Sequence, residues 1–305
     1  MNFAIRDDDL NFFYTPKFIE ENIKDIWDIC PISMSVVPFI KGNWIENTKI
    51  LEDLGPDNIS KEIINKIKED DVIYDIAENK ELVKYIKEKI SEKKVYLTIH
   101  AIHHRNEDEK LPNIGKNFPI GAEFYTNRDL TSKLSDSVSH LEKIFEQKIS
   151  VFTPPQNAYS EKGLEAIVNN NLNICGYLPL NKKAILSSVK MLGIINFCKV
   201  LFFKLSLINQ RKIPFPKCVK VDKIKIMDHR SLQPGTDVEE LYRDFDYAYN
   251  NGWDFVLSTH SYGFNIKMQE SEKTMGEILK EFLLYVKKKN NVEFVTINKI
   301  FEENK

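Results

Sequence analysis

Side chains that bind metals or move protons occur in short clusters along this chain of 305 residues. An acidic triplet occupies positions 7–9, the segment 100–104 carries three histidines, and a later histidine, His260, ends an apolar run. Carboxylates and imidazoles are ligands of divalent metals. A metal with an open position beside a spare carboxylate can activate water. The clusters therefore indicate hydrolytic chemistry at one metal ion.

The triplet Asp7-Asp8-Asp9 is costly to bury without partners, because adjacent carboxylates repel and lose their hydration. A bound cation removes that cost. One carboxylate can then bind the metal while its neighbour takes a proton from water, which gives a Lewis acid and a general base at one centre. The alternative is a solvated acidic turn after the first strand.

His100 and His104 are four residues apart, so one helical turn or a curled loop would bring both imidazoles to one ion. His103 competes for the same role, and a surface run of three histidines is the alternative. His260 ends a predicted strand, where it can act as an acid that protonates a leaving amine or alcohol, or can be a core histidine. His229 can orient His260, contact substrate or form a structural ion pair with its neighbour.

Alternating strand and helix patterns position these clusters. Apolar runs predict strands at 3–5, 32–39, 95–99, 149–152, 172–178, 219–227, 254–258 and 292–296. Amphipathic patterns predict helices at 16–27, 58–69, 78–93, 127–147, 160–170, 236–251 and 270–289. The alternation favours a parallel sheet, and chemistry at the strand ends favours an α/β fold, an irregular (β/α) barrel with about seven parallel strands.

The composition, 42% apolar and 29% charged, is that of an ordinary globular protein, and the length suits a single domain over 1–305. Four isolated cysteines predict reduced thiols in the cytosol (Cys30, Cys175, Cys198 and Cys218). No signal peptide fits before the triplet and no 18-residue apolar run occurs, so we expect a cytoplasmic protein without a transmembrane helix.

A basic apolar insertion is predicted at about 182–218. From 166 to 221 there is no acidic residue and there are nine basic ones, so this stretch carries +9 in a chain of net charge −2. Such a segment can lie on an anionic membrane surface as a peripheral contact, or can form a groove for a diphosphate-linked substrate. A packed barrel helix with a basic outer face is the alternative. No nucleic-acid-binding motif joins the basic residues, so we expect no nucleic-acid partner.

Four motifs in order resemble those of the polysaccharide deacetylases, carbohydrate esterase family 4, also called the NodB-homology family. The chain gives RDDD at 6–9, HAIHH at 100–104, FTPPQN at 152–157 and LSTH at 257–260. The family has a TFDD-type motif, then H-x-x-x-H, R-x-P-Y and a late L-x-x-H. The resemblance covers residues 3 to 260 and implies a metal-dependent deacetylase on an irregular barrel.

The resemblance also implies individual roles. Asp8 matches the catalytic base, and His260 matches the general acid. Asp9, His100 and His104 match the metal triad, which usually holds Zn²⁺. A slip of one residue in the triplet would instead make Asp7 the base and Asp8 the ligand.

The third motif departs from the family at two positions. Thr153 stands where the family has an Arg that pairs with the base, and Arg6 is a candidate to replace it. Gln156 stands at the Tyr position and can still offer a backbone N–H to an oxyanion hole. Pro155 and Asn157 flank it as further candidate substrate or oxyanion residues, and Arg6 and His229 complete this set.

The resemblance thus predicts removal of an N-acyl group, such as acetyl, from a sugar. A cytosolic location would suggest a nucleotide- or lipid-linked precursor of a surface polysaccharide. Two alternatives stay open: an amide hydrolase that acts on a cyclic or non-sugar substrate, and a degenerate, non-catalytic member that binds glycan or membrane.

Overall fold

A computed structural model describes residues 1–42, 72–105, 122–181, 184–207, 212–269 and 271–303. The helix predicted at 58–69 lies outside the described residues, as do Lys182, Lys183 and Arg211 of the basic insertion. The strands are β1 (Asn2–Leu10), β2 (Ile32–Val36), β3 (Phe39–Lys41), β4 (Ile73–Asp75), β5 (Val95–Ile99), β6 (Val151–Phe152), β7 (Asn173–Cys175), β8 (Val219–Val221), β9 (Ile224–Met227), β10 (Arg230–Ser231), β11 (Phe255–Thr259) and β12 (Glu293–Val295). The α-helices are α1 (Pro16–Trp27), α2 (Lys80–Ser91), α3 (Thr131–Phe145), α4 (Glu161–Asn169), α5 (Ile185–Leu192), α6 (Ile194–Ser206), α7 (Val238–Asn250), α8 (Met275–Lys287) and α9 (Ile297–Glu303).

In the described part of the chain, ten strands form one mostly parallel sheet in the order β10-β11-β1-β2-β5-β6-β7-β9-β8, with β12 beside β1. Among these ten described strands, only β8 and β9 pair antiparallel. The remaining strands, β3 and β4, form a separate antiparallel pair. The predicted parallel α/β sheet is confirmed.

The two ends of this sheet must approach each other. β9 lies next to one edge and β10 forms the other edge, yet Asp228 and His229 alone connect them along the chain. Two linking residues can span no more than about 11 Å between the strand ends. The sheet therefore curls into an irregular barrel with a seam between β9 and β10, as predicted.

Side-chain alternation along β1 divides the core into an outer and an inner part. Phe3 and Ile5 belong to the large cluster between the sheet and the surrounding helices. Ala4 belongs to a second, inner cluster, to which α9 contributes Ile297 and Ile300. Because Ala4 lies near the start of β1, α9 closes the end of the barrel opposite the polar motifs.

The structure corrects some local predictions. The run 219–227 is two antiparallel strands, because Asp222 adopts a positive φ of 52° and turns the chain back. The first strand continues through the acidic triplet to Leu10 instead of ending before it. The four cysteines are free; Cys30 and Cys175 are buried, whereas Cys198 and Cys218 are partly exposed.

Candidate metal centre

A local irregularity in β1 turns two neighbouring carboxylates toward one place. Alternation puts Ala4, Arg6 and Asp8 on the inner face of the barrel and would send Asp9 to the opposite face. However, the pairing of β1 with β2 shifts register between Asp7 and Leu10, and Asp9 has a φ of +77°. A bulge of this kind re-aims a side chain, and here it brings Asp9 to the same centre as Asp8.

Asp9, His100 and His104 converge in the structure. The Oδ1 atom of Asp9 lies 3.2 Å from Nε2 of His100 and 3.2 Å from Nε2 of His104. The three potential ligand atoms all lie within 4.8 Å of one another, and all three residues are buried. Residues far apart in sequence thus form a group able to hold a divalent metal.

The donors fit a cation better than they fit one another. Nδ1 of His100 lies 2.9 Å from the carbonyl oxygen of Thr153, a contact that requires the proton on Nδ1 and leaves a lone pair on Nε2. In a neutral His100 ring that Nε2 presents a lone pair to Asp9, and among the described residues the buried Asp9 Oδ1 has no partner with hydrogen-bond geometry. These electron-pair donors face one point, and a divalent cation bound there would satisfy them.

The triplet's other carboxylates face different surroundings. Asp7 lies beside Ser261, and burial raises the pKa of Asp7 well above its usual value. Burial alone would raise the pKa of Asp8 too, but the Arg6 guanidinium, helped by His100 and His260, holds that pKa below its usual value. Asp9 therefore lies between the two imidazoles, and an ionised Asp8 lies beside it. This is the register in which Asp9, and not Asp8, faces the histidines.

The segment after β5 separates the three histidines. His103 turns away, with Nδ1 2.8 Å from the carbonyl oxygen of Phe39. Positive φ values at Ala101 (69°) and His104 (72°) curl the chain so that His104 faces back toward His100. The backbone geometry thus brings His104, and not His103, next to Asp9 and His100.

Glu123 holds this curled segment, and the sequence reasoning missed it. Its Oε2 atom accepts hydrogen bonds from the backbone N–H groups of Ile102 (2.9 Å), His103 (2.9 Å) and His104 (3.0 Å). The carboxylate is buried. An acid between two apolar residues, Ala122 and Phe124, was the signal available, because a buried carboxylate needs donors.

Arg6 stands beside Asp8, where the family's motif-three Arg was expected to act. Its Nη2 is 2.8 Å from Asp8 Oδ2, and its Nη1 donates to the carbonyl oxygen of Cys175 at 2.5 Å. Thr153, at the family's Arg position, is buried in a hydroxyl cluster with Ser35 and Thr98. Thr153 therefore offers no charge to Asp8, and Arg6 supplies the cation from the same strand as Asp8, β1.

His260 approaches the centre from β11. Its Nε2 lies 3.7 Å from Asp9 Oδ2, and its side chain is 26% exposed, so it touches both the buried group and solvent. This combination suits a residue that exchanges protons with a ligand and with water.

His229 lies at the barrel seam. It makes no side-chain ion pair with its neighbour Asp228, whose Oδ2 lies 3.4 Å from Nζ of Lys204 instead. Its Nε2 is 3.5 Å from Arg6 Nη2, and its ring stacks on Tyr177 at 4.4 Å between ring centroids. Burial, reinforced by Arg6, lowers the pKa of His229 well below its usual value. A neutral His229 therefore forms part of the wall that leads to Asp8.

The segment Pro155–Asn157 is a short 3₁₀ turn with positive φ at Gln156 (53°) and Asn157 (54°). Pro155 is buried, and Asn157 Oδ1 lies 3.3 Å from Arg6 Nη2. The N–H of Asn157 donates to Pro154, whereas that of the exposed Gln156 has no acceptor among the described residues. The backbone N–H of Gln156 is therefore available to donate a hydrogen bond to a ligand oxygen.

A cleft of about 550 Å³ opens beside His229. Its wall includes Tyr177, His229, Lys204 and Lys212, and the contacts from His229 through Arg6 to Asp8 connect it with the centre. A volume of several hundred Å³ accommodates a ligand of sugar size or larger.

Solved structures share this fold. A protein assigned to the polysaccharide deacetylases, from Mycobacterium smegmatis, aligns with a TM-score of 0.51 and 9% identity over 99% of this chain and 89% of that chain. The GH57-type branching enzyme from Pyrococcus horikoshii gives 0.51 and 10% identity over 100% of this chain and 70% of that one. The 4-alpha-glucanotransferase from Thermococcus litoralis gives 0.51 and 8% over 99% of this chain, which spans only 40% of that enzyme.

These likenesses show the fold. The chain is an irregular (β/α) barrel of the polysaccharide-deacetylase type, and the resemblance predicted from the four motifs is confirmed at that level. No family model matches the sequence, and no curated protein does either. The same fold also occurs in enzymes named for glucan transfer and branching, so the chemistry must be inferred from the site itself.

Proposed function

We propose that this protein is a metal-dependent hydrolase that removes an N-acyl group, such as acetyl, from a sugar. One observation supports this most strongly: Asp9, His100 and His104 offer three ligand atoms within 4.8 Å, with the spare carboxylate of Asp8 beside them. A ligand set of two imidazoles and one carboxylate suits Zn²⁺ and leaves coordination positions open. When bound, such a cation supplies a Lewis acid that polarises the acyl carbonyl and lowers the pKa of water.

In the proposed reaction Asp8 acts first, as the base. Because Arg6 keeps it ionised, Asp8 can accept one proton from water while the water oxygen forms a bond to the acyl carbon. The carbonyl oxygen gains negative charge in this step. The available N–H of Gln156 can donate to that oxygen.

In the second step of the proposed reaction His260 acts as the acid. Protonated His260 gives its proton to the amide nitrogen as the C–N bond breaks, which releases a free amine on the sugar and a carboxylic acid. Asp8 then passes its proton on, directly or through solvent, so that His260 is reprotonated. Partial exposure of His260 provides the route to solvent.

The sugar part of the proposal has two supports. The deacetylase from Mycobacterium smegmatis shares the fold. The cleft beside His229 has the size for a sugar, and the exposed Tyr177 offers a ring against which a sugar can pack. We further propose that the sugar is carried by a nucleotide or a lipid, as a precursor of a surface polysaccharide.

The test is release of acetate from N-acetylated sugars, both free and linked to nucleotide or polyprenyl carriers. We expect activity that disappears on chelation, returns with Zn²⁺ and falls by about 10²-fold or more in Asp8→Asn. His103→Gln is the matched control, since His103 faces Phe39 and not the centre. Full activity in both Asp8→Asn and Asp9→Asn would remove the proposal, and hydrolysis of cyclic or non-sugar amides alone would replace its substrate.

A further inference from the structure

The exposed apolar side chains of this protein are concentrated on one helical pair. Among the described residues, eleven large hydrophobic side chains are exposed, and seven of them belong to α5 and α6. We call these seven the apolar patch: Ile185, Leu186, Ile194, Ile195, Leu201, Phe202 and Leu205. Leu186, Ile195 and Phe202 are 87%, 69% and 68% exposed. Scattered exposed apolar residues are normal, but a contiguous patch marks a contact with another apolar phase.

The helix α6 is amphipathic with its apolar stripe facing outward. Ile194, Leu201 and Leu205 follow helical spacing along one face, and Phe202 lies next to them. Val200, on the opposite side, is the only buried residue that α6 contributes to the described core. A helix that only had to pack on the barrel would turn this stripe inward.

The charge around the patch indicates what it contacts. The stretch from 166 to 221 has nine basic residues and no acidic one. Lys199 is exposed on α6 at the border of the stripe, and the exposed Lys220 lies against α6, since its carbonyl oxygen accepts a hydrogen bond from Asn196 at 3.0 Å. Lys217, three residues before Lys220, is exposed too. Lysines beside an outward apolar stripe are typical of helices that lie in the interface of an anionic bilayer.

We propose that the apolar patch docks on an anionic lipid bilayer, with α6 lying in the plane of the interface. At 13 residues α6 is about 20 Å long, too short to cross a hydrocarbon core of about 30 Å. No single described helix is long and apolar enough to cross; α5 and α6 together would be, but this pair is bent by 115°. A second copy of the chain is a poor occupant, because a two-fold contact would place two basic surfaces against each other.

Docking would also set the position of the cleft relative to the membrane surface. Lys204 belongs to α6 and lines the cleft beside His229. A bilayer in contact with α6 would therefore lie next to the cleft mouth. If the proposed function holds, a sugar on a lipid carrier could then enter without leaving the membrane, a consequence that rests on that function while the docking itself does not.

The experiment is co-sedimentation of the full chain with vesicles of phosphatidylcholine, with and without phosphatidylglycerol. We expect binding only with the anionic lipid, release by high salt, and binding weakened about tenfold or more in the double variant Ile195→Ser/Phe202→Ser. Lys199→Glu tests the charge separately and should weaken binding to the anionic vesicles. Leu284→Ser is the matched control, since Leu284 is 41% exposed on α8, outside the patch.

Several outcomes would overturn the docking proposal. The first is that the wild type fails to bind anionic vesicles, and the second is that the wild type and the double variant bind equally. The third is that only detergent, and neither salt nor carbonate, releases the protein from the vesicles. The fourth is that the wild type forms a dimer without lipid and that the double variant is a monomer. Melting temperature and acetate release from a water-soluble substrate should be unchanged in the double variant. Loss of vesicle binding with intact hydrolysis then separates the docking proposal from the proposed function.

Discussion

The Arg6 guanidinium lies 2.8 Å from the Asp8 carboxylate, and both side chains are almost fully buried on the inner face of the same strand. Residues two apart on a strand share a face, so the cation stands next to the base without any loop to position it. Arg6 also contacts Cys175 and Asn157. The pKa of Asp8 therefore depends on Arg6, which is held in the barrel wall by its contacts with Cys175 and Asn157.

Removing this cation should change a pH profile as well as stability. In Arg6→Met, Asp8 would stay buried without its partner, and burial would then raise its pKa. We expect the acid limb of kcat/KM to move to higher pH, activity at neutral pH to fall about 10²-fold, and unfolding to become easier by about 3–5 kcal/mol. The pH dependence of kcat/KM and urea unfolding measure these effects.

Arg230→Met is the control for that variant. Arg230 is also buried and bonded to a carboxylate, that of Asp244 at 2.8 Å, but it is not paired with Asp8. We expect a comparable loss of stability with an unshifted acid limb. A shift of the same size in both variants would contradict the role given to Arg6.

Metal binding should depend on His104 and not on the adjacent His103. His104→Gln removes an Nε2 that faces Asp9, whereas His103→Gln removes a ring bonded to the carbonyl oxygen of Phe39. We expect the first variant to lose bound metal and the second to keep about one equivalent per chain. Elemental analysis after dialysis decides this, and equal metal content in the two variants would refute the assignment.

Glu123→Gln should weaken the metal site without removing a ligand. The neutral amide would hold the three N–H groups of the curled segment less firmly, so His104 would be less well positioned. We expect metal affinity to fall by about 10–100-fold, as measured by competition with a chelator. Glu161→Gln, on an exposed pair with Lys190, is the control and should leave the affinity unchanged.

His260→Asn should slow hydrolysis of amides while metal binding stays intact. Loss of a general acid typically costs about 10²–10⁴-fold in rate. An aryl ester, whose leaving group needs no proton, should be affected much less. Measuring both substrates distinguishes proton donation from a structural role, for which both rates would fall together.

His229 should make the fold sensitive to acid. Its folded-state pKa is lowered by burial and then by Arg6, so the unfolded chain takes up this proton first as the pH falls below about 6.5. The stability that neutral His229 contributes is therefore present above that pH and lost below it, by up to about 1.4 kcal/mol per pH unit. Urea unfolding of wild type and His229→Asn at several pH values should show a smaller acid-side decline in the variant; parallel curves would contradict the prediction.

Much of the architecture could be read from local patterns. The strand at 95–99 coincides with β5, and Thr15 and Pro16 begin α1 with a side-chain cap and a fixed φ. Strands that alternate with helices favour a parallel sheet with its chemistry at the strand ends, because each crossover returns the chain to the same end. The motif order therefore led to the barrel and to the candidate residues.

Other features depend on contacts between distant segments. The hairpin of β8 and β9 and the outward stripe of α6 had apolar patterns that also fit a single strand and a packed helix. Only the pairing partners and the surface on which each segment lies distinguish these readings.

Residue identity and spacing are enough to give the chemical types of the donors and their order along the chain. Only the folded backbone shows which neighbour lies at the centre: Asp9 rather than Asp8 between the imidazoles, His104 rather than His103, and Arg6 rather than residue 153 beside Asp8. The physical reason is that positive φ values at Asp9 and His104 reverse the side-chain direction that alternation would give. Such strained conformations persist only where the surrounding fold holds them, as Glu123 does here, and no local pattern records that support.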